Sequence, residues 1–115
     1  MAYVTAAAFP VLPGQADRVR NFAKELEPHM EEFERLNKEA GDFRRFSVFL
    51  QESPMGDLAI FVFEVADPSK VRLAFTETPY DQWWLDYLRD VHGLDIRGMP
   101  EVPSPPPIVY DWQAS

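Results

Sequence analysis

Only two side chains in this sequence, His29 and His92, have an ordinary pKa near neutrality. His92 precedes Gly93 at the end of an aromatic, helix-forming run. A histidine there is either a C-terminal capping group, whose protonated form the helix dipole favours, or a general acid or base at a pocket mouth. His29 follows Pro28 at a break in a helical pattern; it reads as solvent-facing unless the break turns it inward. Glu64 interrupts the apolar alternation of Leu58, Ile60 and Val62. A carboxylate in an apolar pocket has its pKa raised and serves as an acid or base. The plainer reading of Glu64, and of Glu52, is a solvated strand end. Arg44 and Arg45 open the neighbouring strand and suit a carboxylate partner or an anionic substrate. His92, Glu64 and His29 are thus the candidate catalytic residues, with Arg45 on the substrate side.

Aromatic residues make up 14% of the chain. Tyr3, Phe49, Phe61, Trp83, Trp84 and Tyr87 are candidates to line a cavity beside Arg45, although ordinary core is the plainer reading for most. Trp83 and Trp84 lie about 100° apart on a helix, so one of them is free to face a cavity or a seam. Glu25, His29 and Glu32 have helical spacing compatible with a metal, but the whole segment is acidic and no metal site is expected. No Gly-rich loop or nucleophile elbow is present, and no histidine has the context of a haem ligand. No cofactor is expected. The chain has no cysteine, which excludes a disulfide scaffold, a thiolate metal site and a cysteine nucleophile. Its formal net charge is −8. That disfavours nucleic acid and an anionic membrane surface as partners. No leader pattern or long apolar run is visible, so a cytoplasmic location is expected.

These residues need elements to position them. Ala2 to Leu12 predicts a strand, apolar on both faces, with Tyr3, Thr5, Ala7, Phe9 and Val11 on one side and Val4, Ala6 and Ala8 on the other. Pro13-Gly14 stops it. Val19, Phe22, Ala23, Leu26, Met30, Phe33, Leu36 and Ala40 recur at helical spacing, with a kink or interruption expected at Pro28. Phe43–Glu52 and Leu58–Val65 predict a hairpin joined by Ser53-Pro54-Met55-Gly56-Asp57. Asp67-Pro68 and Thr78-Pro79 are helix starts. The second opens a helix carrying Tyr80, Trp83, Trp84, Tyr87, Leu88 and Val91. Gly98 to Pro107 holds five of the chain's eleven prolines, an extended arm. Ile108 to Trp112 predicts a last strand.

The order is β–α–β–β–α–β in an α+β chain, the ferredoxin-like arrangement of a four-stranded antiparallel sheet with helices on one face. The domain spans residues 1–97, followed by the arm and strand at 98–115. A bare apolar sheet face predicts a homodimer through that face. At this level the chain resembles the dimeric α/β-barrel superfamily, which includes the antibiotic-biosynthesis monooxygenase-like, EthD-like and stress-responsive barrel groups. The resemblance rests on the strand ending Phe9-Pro10-Val11-Leu12-Pro13-Gly14 with its amphipathic helix, the hairpin, Ala66-Asp67-Pro68 and the Trp83-Trp84 helix. It implies a pocket between sheet and helices and a hydrophobic small-molecule ligand, aromatic or polyketide-like. It also implies oxygenation, cyclisation or isomerisation without a bound cofactor. A non-catalytic binding or structural dimer is the alternative.

Overall fold

A computed structural model describes residues 3–67, 78–98 and 106–114. The helix expected after Asp67-Pro68 and most of the proline-rich arm lie outside the described residues. The described residues hold three strands: β1 (Tyr3–Pro10), β2 (Phe43–Gln51) and β3 (Leu58–Val65). They form one antiparallel sheet in the order β1-β3-β2. The hairpin forms where expected because Gly56, at φ +116°, turns the chain at a position that disfavours a side chain.

Alternation divides the sheet cleanly. One face carries the cross-strand rungs Phe9–Ala59–Leu50, Ala7–Phe61–Val48 and Thr5–Phe63–Phe46. The helices pack on this face, and Ala59, Phe61 and Val65 are almost fully buried there. The other face carries Ala8–Ile60–Phe49, Ala6–Val62–Ser47 and Val4–Glu64–Arg45. No described helix covers it, and Phe49 is 54% exposed.

The first helical region is more broken than the periodicity predicts. It comprises α1 (Ala16–Arg20), α2 (Phe22–Leu26), a 3₁₀ turn (Glu27–His29) and α3 (Met30–Glu39). The 3₁₀ turn is the expected effect of Pro28, which has no N–H to donate to the Lys24 carbonyl. The break at Asn21, with ψ near 14°, is not anticipated by the spacing. α4 (Pro79–His92) begins and ends as expected. The Thr78 hydroxyl accepts from the Asp81 amide at 3.2 Å, and Gly93 adopts the left-handed C-terminal conformation.

The fourth strand is a correction. Residues 108–112 form no strand and pair with nothing in the sheet. Val109, Tyr110 and Trp112 are 96%, 82% and 72% exposed. The near end of this segment is held at β1, where the Thr5 hydroxyl donates to the Pro106 carbonyl at 3.5 Å. The described residues therefore show an α+β fold with a three-stranded antiparallel sheet, not a four-stranded one. No helix among them is long and apolar enough to cross a membrane.

Candidate functional site

The apolar stripe of α1 and α2 is buried: Val19, Phe22 and Leu26 belong to the core. The stripe of α3 is buried only in part, with Phe33 and Leu36 half-buried against the core. Met30 is 39% exposed and no residue of α3 is fully buried. The Phe33 ring of the helix reaches the Phe46 ring of β2 at 5.8 Å, and beside this contact an open groove of about 760 Å³ lies between the two elements. That size falls within the roughly 300–1,000 Å³ of small-molecule sites. Phe22, Leu26, Phe46 and Val48 form its apolar base, and Met30 and Phe33 form the α3 wall. Its rim is charged, with Lys38 on α3 and Arg44 and Arg45 at the start of β2. A β-bulge between Phe43 and Arg45 shifts the register there and sets these two arginines at the sheet edge.

Of the sequence-predicted residues, Arg44 and Arg45 alone reach this groove, at its rim. The Arg45 Nε donates to the Ser47 hydroxyl at 3.3 Å. Neither Glu52 nor Glu64 pairs with Arg44 or Arg45: Glu52 pairs with Arg20, and Arg44 pairs with Asp42 at 2.6 Å. Glu64 and Phe49 sit on the uncovered sheet face, the far side from the helices. Tyr3 lies at the start of edge strand β1 and is 37% exposed. Phe61 is 2% exposed at the centre of the core.

Trp83, Trp84, Tyr87 and His92 come together one layer behind the groove, with Phe22 between. The Phe22 ring centroid lies 5.6, 5.5 and 5.5 Å from those of Trp83, Trp84 and Tyr87. Both indoles are anchored: Trp84 donates to the Tyr80 hydroxyl at 2.6 Å and Trp83 to Glu25 at 3.4 Å. Burial pushes the Tyr80 hydroxyl up to about 12. His29 is stacked on Trp83 at 5.6 Å and is not the free surface residue of the plainer reading. Its helical neighbours Glu25 and Glu32 are bonded to Arg18 and Arg35, at 2.6 and 2.5 Å. Among the described residues no cluster of metal-ligating side chains occurs.

His92 departs most from expectation. It is 4% exposed and packs between Phe9, Phe61 and Tyr87. Its Nδ1 lies 2.7 Å from the Pro10 carbonyl, so Nδ1 carries the proton and donates. Burial lowers its pKa, outweighing the opposing pull of that hydrogen bond. The ring is neutral, whereas the helix dipole alone would favour the cation. Its Nε2 and the hydroxyl of Tyr87 are both buried with no hydrogen-bond partner. Burial also raises the Tyr87 pKa, so the phenol holds its proton.

Sequence reasoning missed the groove wall. Met30, Phe33 and Lys38 read as one ordinary amphipathic face, and spacing does not reveal that an open groove lies between the helix and its sheet. The break at Pro28, after which α3 begins, is the one signal in the sequence that bears on it. Comparison of the chain with protein-family models, curated proteins and solved structures gives no match.

Proposed function

We propose that this chain is a homodimeric binding protein for a hydrophobic small molecule, seated in the groove between α3 and β2. The observation that carries the reading is the incompletely buried apolar side of α3, with Met30 exposed, beside an open groove of about 760 Å³ floored by Phe46 and Val48. A helix that only closed a core would bury that side. None of His92, Glu64 and His29 lines the groove, so binding is favoured over catalysis. Oxygenation, cyclisation or isomerisation of the bound molecule, without a cofactor, is the second reading. It rests on the neutral His92 and protonated Tyr87, whose buried polar atoms are unpartnered behind Phe22.

The dimer uses the uncovered sheet face, where Val4, Ala6, Ala8, Ile60, Val62 and Phe49 form an apolar field. Assembly of two such faces would make the barrel-like core of the superfamily that the chain resembles. The order β1-β3-β2 leaves the outer edge of β1 free, the position of a fourth strand in a ferredoxin-like sheet. Residues 108–112 of the partner subunit are the proposed occupant. Pro106 already sits beside Thr5 near the start of β1. Running antiparallel from there, the segment passes beyond Tyr3 after two residues and has no length of its own β1 left to pair with.

The test is binding of a neutral aromatic probe, 1-pyrenebutanol, followed by its fluorescence. Saturable binding that Met30→Glu weakens and Phe49→Ser leaves unchanged supports the groove. Absence of saturable binding, or equal binding by Met30→Glu, overturns it.

A further inference from the structure

The charges around the groove are already matched by the chain itself. Arg20 is held by Asp17 and Glu52, and Arg44 by Asp42. Arg45 belongs to the uncovered sheet face, where its Nε donates to the Ser47 hydroxyl at 3.3 Å. Glu34 and Lys38, one turn apart on α3, are both exposed and of opposite sign. A charged ligand would give up hydration here and find no free arginine in return. The groove therefore suits an uncharged one.

One neutral polar side chain stands within the apolar lining. Asn37 follows Met30 by seven residues and Phe33 by four on α3. At about 100° per residue it falls roughly 20° from the first and roughly 40° from the second, between the two around the helix. All three line the groove. Asn37 is half-buried, and among the described residues its side-chain amide has no hydrogen-bond partner. Small-molecule sites combine a mostly apolar lining with a few placed polar groups that fix the ligand's orientation. We infer that the ligand is an uncharged molecule with an apolar body and one hydroxyl or carbonyl group, and that the Asn37 amide binds that group. A carboxamide both donates and accepts, so it serves either group. The apolar body then lies on Phe33, Phe46 and Val48. This rests on the groove reading above and narrows its ligand class.

Two probes with one aromatic body test the role of Asn37: 1-pyrenebutanol, and 1-butylpyrene, which lacks the hydroxyl. 1-Pyrenebutyrate is the charged comparison. Each is titrated by fluorescence against wild type and Asn37→Leu, a substitution that keeps a good helix former on the same stripe. The butanol is expected to lose about fivefold in affinity in the variant, the net worth of one hydrogen bond, and 1-butylpyrene to lose none. The butyrate should bind wild type more weakly than the butanol. An equal loss for butanol and 1-butylpyrene, or none for either, would overturn the role of Asn37 while leaving the groove intact. Tighter binding of the butyrate than of the butanol would overturn the uncharged class. No saturable binding of any of the three would overturn the groove itself, and this inference with it.

Discussion

His92 shows how one residue type takes opposite electrostatics from its surroundings. At a helix C-terminus a histidine is stabilised as the cation; sealed among Phe9, Phe61 and Tyr87 it is neutral. Desolvation acts on the whole charge, whereas the dipole of the last turn is worth about 1 kcal/mol or less in most settings. Because the folded pKa is depressed, the unfolded chain binds a proton that the folded chain refuses. The stability at stake is present above the ordinary histidine range and falls as pH drops below it. Wild type should therefore lose denaturant resistance between about pH 7.5 and about pH 5.5, and His92→Gln should lose clearly less. Parallel losses in the two proteins would show that His92 is not the titrating group. Tyr87→Phe removes a buried hydroxyl that has no partner, and should be neutral or gain about 1 kcal/mol in chemical denaturation. A loss of that size would mean the hydroxyl is bonded. The sequence marks His92 as unusual through its position before Gly93. Its burial depends on β1 crossing beneath α4, a contact made across 82 residues, which local spacing cannot encode.

Among the elements, α4 and the hairpin were fully legible because each boundary is set by a local signal: Thr78-Pro79, Gly93 and the Gly56 turn. Thr78→Ala should cost about 1 kcal/mol, with Thr78→Ser retaining most of the cap. Unchanged stability in thermal or urea melts would show the cap to be dispensable. Pro28 was legible as a break, but its energy is not that of an interior proline. Pro28 stands in the first turn of the 3₁₀ segment, where proline is tolerated, and α3 starts afresh after it. Pro28→Ala should stay folded and shift stability by no more than about 1 kcal/mol. A gain near the roughly 3 kcal/mol of an interior proline would contradict this placement. The Asn21 break and the open groove beside α3 were not legible. Both follow from how the helices meet the sheet, which apolar spacing leaves open.

For the whole molecule, the faces of β2 now separate two substitutions that the sequence left ambiguous. Val48 packs against the core and Phe49 is on the uncovered face. Val48→Asp should unfold the chain, whereas Phe49→Asp should keep the fold and abolish the dimer in light scattering. A monomeric wild type at micromolar concentration would remove the dimer from the account. The C-terminal segment reads as a fourth strand from its strand-forming residues and from the place that a ferredoxin-like order leaves for one. Strand-forming residues do not pair by composition alone, and residues 108–112 leave the free edge of β1 unpaired. Deleting residues 106–115 should lower the melting temperature at protein concentrations where the dimer forms and leave it unchanged under high dilution. An equal effect at all concentrations would place the segment's role within one subunit. The central claim is that the space between α3 and β2 is a ligand site, and NMR of the isotopically labelled chain titrated with 1-pyrenebutanol tests it most directly. The account predicts saturable shifts at Phe22, Met30, Phe33, Phe46 and Val48, with Val4, Ala6 and Ile60 on the uncovered sheet face unmoved. Shifts confined to that sheet face, or no saturable shift at all, would contradict it.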